Sequence, residues 1–326
     1  MAERSAMFET VQIGVESVPG TAVAADKKLL ATSFEISPDI EVDTFRPMGY
    51  KFDTIASLNK EFVSGDISGQ MSYTDLTYLF ASLVTTDTPA TVGTTGKEWV
   101  FSSDSDGPDA PITFTVEQGS SVRAHSFANA QVTGLTLTIN RDGTEVGGTV
   151  IGEALADGIT LTAAPTEISL QPVMVTEVGL KMADTAAGLA GASLLTRAFT
   201  AEWSLTDRFE PLWTLNQSTT YDVTVESEPT GELTWRVAAD ATGMGLLTQM
   251  RAGSTKFVRI EATGPVIGAG PATYSLIIDT AVKITDVSPI GPEDNVIGVE
   301  WTGSFVHDAT WGKAFNVAII NALTAL

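Results

Sequence analysis

Residues 132–139, Val132-Thr133-Gly134-Leu135-Thr136-Leu137-Thr138-Ile139, place apolar side chains at nearly every second position. That period belongs to a strand with one buried and one solvated face, not to a helix. Asn140-Arg141-Asp142-Gly143 follows, and Asp-Gly is a tight-turn signal because glycine accepts positive φ. Glu145 to Gly152 then returns, so residues 131–152 read as a hairpin. The same signature recurs in residues 31–45, 67–73, 112–117, 199–209, 221–226, 232–238, 256–262, 274–285, 295–306 and 314–321. Only two short helices are expected. One is Asp75–Val84, with Asp75 as its N-cap, and the other is Thr242–Arg251, closed by Gly253. The fold class is therefore all-β.

An internal repeat organises these strands. Leu29-Leu30-Ala31-Thr32-Ser33-Phe34 is similar to Leu194-Leu195-Thr196-Arg197-Ala198-Phe199, and Asp43–Met48 to Asp207–Leu212. Val116-Glu117 matches Ile260-Glu261, Val132 matches Val282, and Val146 and Gly148 match Val296 and Gly298. Their order is the same in both halves, which implies a duplication. The expected organisation is an N-terminal arm over 1–28, a first β module over 29–165 and a second over 166–326, joined near 163–171.

Composition narrows the function. The 326 residues carry 18 Lys plus Arg against 40 Asp plus Glu, a formal charge of −22. A phosphate-backbone binder needs clustered cations, so nucleic-acid binding is not expected. No cysteine is present, which removes disulfides and thiolate chemistry. Charged residues make up 18%, leaving a surface rich in Ser, Thr, Gly and apolar groups that suits burial against neighbours. The N-terminal residues lack the pattern of a signal peptide, and no stretch has the length of a membrane span, so cytosolic synthesis is expected.

Chemistry-bearing motifs are sparse. His125 and His307 have no sequence neighbours that complete a triad or metal pair. Gly243-Met244-Gly245 and Gly268-Ala269-Gly270 lack the rest of a phosphate loop. Asp104-Ser105-Asp106-Gly107-Pro108-Asp109 holds three carboxylates without EF-hand spacing, and reads as a solvated loop. No catalytic residue, cofactor or metal site is expected.

One stretch resembles a known family. Gln12-Ile13-Gly14-Val15-Glu16-Ser17-Val18-Pro19-Gly20-Thr21-Ala22-Val23-Ala24-Ala25 is similar to the opening of siphophage tail tube (major tail) proteins, a G-x-E-x-x-x-G-T-A-V-like run before a long strand. The 131–152 hairpin continues the resemblance. It implies a structural virion protein: tandem β-sandwich modules in rings, stacked into a hollow conduit for genome ejection. It also implies tape-measure, tail terminator and distal tail partners, assembly of the virion tail after synthesis in the bacterial cytoplasm, and no enzymatic activity. With two modules per chain, three chains would give a pseudo-six-fold ring, the alternative being a hexamer. DNA would pass without specific binding along a negative lumen.

Candidate lumen acids are Glu41, Asp43, Asp142, Glu145, Asp207, Glu293 and Asp294. The long segment 46–62 and its counterpart 212–229 are expected at ring-to-ring contacts, with Met48, Tyr50, Phe52, Ile55 and Leu58 as the stacking residues, alongside the 1–28 arm. Two other readings remain open at this point: a capsid decoration protein, and a β-sandwich that acts on or binds carbohydrate.

Overall fold

Strand pairing, not helix packing, builds this chain: 53% of it is strand and 10% helical. The computed structural model describes residues 6–103, 107–293 and 295–326, with the backbone alone for Ala6 and Glu293. Its first half contains β1 (Thr10–Val15), β2 (Lys27–Leu29), β3 (Thr32–Phe45), β4 (Ile55–Gln70), α1 (Asp75–Leu83), β5 (Ala90–Val92), β6 (Gly96–Phe101), β7 (Phe114–Gly119), β8 (Ala124–Ile139), β9 (Thr144–Gly152), β10 (Ala156–Ile159) and β11 (Thr166–Glu167). The second half contains β12 (Val178–Ala183), β13 (Ala198–Thr206), β14 (Phe209–Leu212), β15 (Val223–Glu226), β16 (Thr230–Ala238), α2 (Ala241–Ala252), β17 (Lys256–Val266), β18 (Thr273–Val287), β19 (Gly291–Glu293), β20 (Val296–Phe305) and β21 (Phe315–Asn321).

Two long strands turn corners between sheets. The start of β8 pairs with β7 up to Ala130, and its end pairs with β9 from Gln131 onward. In the same way β18 pairs with β17 and β21 up to Val282, then with β20. Each half thus repeats one order of pairing, in which the long strand's first part lies in one sheet and its second part in another. Strands β5 and β6 cross over: β6 pairs with β21, so the first half completes a sheet of the second.

The second parts of both long strands lie in one continuous sheet. Its order is β3–β4–β9–β8–β13–β16–β20–β18, every neighbouring pair antiparallel. The seam between halves is β8 against β13, with Leu135 opposite Leu205, Leu137 opposite Trp203 and Ile139 opposite Ala201.

One face of this sheet is the core. Residues Thr32, Gly69, Val146, Leu137, Trp203, Leu233, Gly303 and Ile284 form a single row across all eight strands. Trp203, Trp235 and Trp301 are completely buried beneath it, and Trp203 donates from Nε1 to Thr280 Oγ1 at 3.2 Å. Gly148 is required on the same face, because a Cβ there would lie 2.4 Å from the Gly134 carbonyl oxygen.

Three local signals resolve differently from their sequence reading. The N-cap of α1 is Thr74, not Asp75; Asp75 is buried and its carboxylate accepts from Ala31 N and Thr32 Oγ1. The β8–β9 turn is held by Asn140, whose Oδ1 accepts from Asp142 N and Gly143 N, and Gly143 has no positive φ. Residues 10–15, expected within an arm, form β1 between β2 and β7 because Val11 and Ile13 are buried in the core. By contrast, α2 ends as expected, with Gly253 at φ 60°.

Candidate functional site

The face opposite the core is polar by the same alternation. One row across it reads Ser33, Ser68, Gly147, Thr136, Ser204, Glu232, Ser304, Lys283, one residue from each strand. The next reads Gln70, Glu145, Thr138, Glu202, Thr234, Thr302, Asp286. Glu35 opposite Asp66 and Arg236 opposite Glu300 extend it. Seven carboxylates (Glu35, Asp66, Glu145, Glu202, Glu232, Asp286, Glu300) therefore share a face with Lys283 and Arg236. Short hydroxyls fill the space between them and bond to one another, Ser33 with Ser68 at 3.0 Å and Thr234 with Thr302 at 3.3 Å. Such a surface is polar and electronegative, with seven carboxylates against two cations, and a field of that sign repels a polyanion.

Of the acids singled out from sequence, Glu145 lies in these rows. Glu41 stands at the root of the β3–β4 projection, 3.8 Å from Lys60, and Asp43 lies further out opposite Ser57. Asp142 occupies the β8–β9 turn, and Asp207 the corner between β13 and β14 at φ 59°. Glu293 lies in β19 with its side chain outside the description, and Asp294 is outside the described residues. Sequence reasoning missed Glu35, Asp66, Glu202, Glu232, Asp286 and Glu300. The signal that finds them is alternation: each occupies the polar phase of a strand whose other phase is core.

Beyond Asp39 the β3–β4 hairpin leaves the body of the protein. Pairing runs on to Phe45 opposite Ile55, past a bulge at Glu41/Val42, a projection of about 20 Å for six residues. Ile40, Val42, Phe45, Met48, Tyr50, Phe52, Ile55 and Leu58 are all exposed on it, Met48 and Phe52 at 101% and 77%. So many apolar groups in one exposed element mark an interaction surface.

Its counterpart in the second half behaves differently. After Asp207 the chain folds back, and the β14–β15 hairpin lies on the first half. Trp213 packs edge-on to Phe62 with ring centroids 5.5 Å apart, and Tyr221 donates to the Asn129 carbonyl at 3.1 Å. Arg208, 1% exposed, pairs there with fully buried Asp109 and with Glu226. Asp109 thus belongs to a structural ion pair, while Asp104 and Asp106 of the acidic loop lie outside the described residues.

The Gly14–Val23 run forms a loop clamp. Glu16 is buried and accepts from Gly20 N, Thr113 Oγ1, Thr115 Oγ1 and Asn129 N at 2.8–2.9 Å. Gly20 sits at φ 78°, and a Cβ on Gly14 would lie 2.6 Å from the Ala24 carbonyl oxygen. The spacing of these residues is thereby explained by folding. Burial and the nearby Glu16 carboxylate raise the pKa of Glu153.

Among the described residues no three His, Asp or Glu side chains gather as a metal site, and no helix is long and apolar enough to cross a membrane. No family model matches the chain, and no curated protein matches it.

Proposed function

We propose that the chain is a structural, self-assembling subunit of a hollow tube, acting as the major tail tube protein of a long-tailed phage. The observation that carries this reading is the eight-stranded sheet: among the described residues it ends in two strands paired on one side only, β3 and the second part of β18, and it presents one acidic, hydroxyl-rich face. Free sheet edges of this length are a hazard unless copies pair and close them. Three copies of an eight-stranded sheet give 24 strands. At about 4.8 Å per strand the circumference is about 115 Å before tilt, and a tilt of about 40° brings the diameter to about 48 Å. That bore admits duplex DNA with the acids facing inward.

Ring closure accounts for the sheet, and the apolar β3–β4 projection accounts for stacking of one ring on the next. Residues on it, Met48, Tyr50, Phe52, Ile55 and Leu58, become buried only in the stacked tube. Tape-measure, terminator and distal tail proteins are the partners this role implies, and the virion tail is its place. Negative-stain microscopy of concentrated protein tests the reading. Long hollow tubes support it; solitary molecules with hydrolytic or glycan-binding activity overturn it.

A further inference from the structure

A groove of about 650 Å³ runs beside the free edge of β3, bordered by Met7, Phe8, Val11, Leu30 and Phe34. Met7, Phe8 and Leu30 are exposed there at 82%, 68% and 40%. The Phe34 carbonyl on this edge accepts from Gln118 Nε2 at 2.8 Å, and beyond it β3 pairs only with β4 among the described residues. At the opposite end of the same sheet, Val282–Val287 of β18 pair with β20 on one side, and the chain runs on to exposed Ile290.

The chain already contains a closed version of these two ends. At the seam between halves, β13 pairs with the second part of β8, and Ile139 at the end of β8 borders a cavity with Val178, Leu180 and Ala201. Strands β3 and β13 each follow a Leu-Leu pair, Leu29-Leu30 and Leu194-Leu195, which connects them to β1 and β12 through Val11 opposite Leu29 and Lys181 opposite Leu194. Strands β8 and β18 each turn a corner midway. Counted from the first residue that pairs in the second sheet, Gln131 in β8 and Val282 in β18, Ile139 and Ile290 each lie eight residues on, one step out of phase with the Val132–Val282 sequence match; the Met7–Leu30 groove corresponds to the cavity beside β13.

We infer that the groove takes Ile290 from a second copy of this chain, with β18 of that copy pairing antiparallel to β3 as β8 pairs to β13 within one chain. This rests on the self-assembly reading above and adds to it the docking surface and the strand order of the contact. Pro38 in β3 costs the new ladder at most one donor. The alternation of the two strands then carries both the core and the acidic face across the junction without a break.

The absence of cysteine makes the contact directly testable. Leu30→Cys and Ile290→Cys are made as separate proteins, mixed at high concentration and treated with a short bismaleimide. The mixture is expected to give about tenfold more covalent dimer than either variant alone, because docking raises the effective concentration of the two thiols. A yield no higher than that of the single variants overturns the contact. Ile290→Asp, at an exposed site, is expected to lower the assembled fraction about tenfold with monomer melting unchanged; assembly at the wild-type level overturns it. Hollow tubes that lack the cross-link sink this contact and leave the tube reading standing. Cross-linked particles without a channel do the reverse.

Discussion

Leu137 stands directly opposite Trp203 across the seam where the two halves of the chain share one sheet, and both side chains are fully buried. Neither half can open without exposing them. Trp203→Ala should therefore cost about 3–5 kcal/mol, as large-to-small core substitutions do. Urea unfolding of the monomer reads this directly, and a loss below 1 kcal/mol, by the same scale, would mean the seam is not part of the core.

Arg208 is the cation that joins the folded-back β14–β15 hairpin to the first half. Removing it leaves Asp109 buried without its charge partner, so Arg208→Ala should cost about 3–5 kcal/mol. The double variant Arg208→Ala/Asp109→Ala should be less destabilised than the single one. Additive losses in that cycle would show that the pair is not coupled.

Two ionisation effects have the same sign and act in different pH ranges. Burial raises the Asp75 carboxyl above its ordinary 3.8 despite hydrogen bonds from Ala31 and Thr32. The folded chain then holds this proton longer than the unfolded one, so stability falls as pH rises through that window and the cost persists at neutral pH. Asp75→Asn lacks this titration. Its stability relative to wild type should rise as pH is raised above the ordinary 3.8 in denaturant titrations; a constant difference contradicts the assignment.

Burial, aided at Tyr73 by its bond to Glu177, raises the phenols of Tyr73 and Tyr221 above their ordinary 10.0. Their contribution is complete below that value and is lost as pH rises beyond it. Phenolate absorbance from these residues should appear together with unfolding. Ionisation in a protein that stays folded would contradict their burial.

Much of the architecture was legible in the sequence. The 131–152 hairpin, β3 and α2 are strongly patterned and came out nearly as read. The first part of β4 was not legible: residues 55–60 give no apolar period because that stretch is solvated along the projection, and further on Gly65 leaves a gap in the buried phase between Val63 and Ile67. The start of β8 was missed because Ala124–Ala130 lies in a different sheet from the rest of the strand and follows a different burial pattern. The acids of the polar face were hidden for another reason. Turn and strand-end carboxylates such as Asp142 and Asp207 stand out by their neighbours, whereas Glu202 and Glu232 are recognisable only once adjacent strands are known to share a register.

Charge on that face has a functional consequence under the proposed role. Converting Glu35, Asp66, Glu202 and Glu232 to lysine, all at exposed positions, should leave tube assembly intact and make the tubes retain DNA. That retention should weaken with salt. Tubes that release DNA as the wild type does would contradict a lumen lined by these residues.

Cryo-electron microscopy of the assembled particle tests the central claim most directly. The account predicts three chains per ring, one β barrel closed by β3 of each copy against β18 of the next, and Glu145, Glu202 and Glu232 facing an open channel. A ring of six chains, or a channel lined by any other face of the molecule, would contradict it.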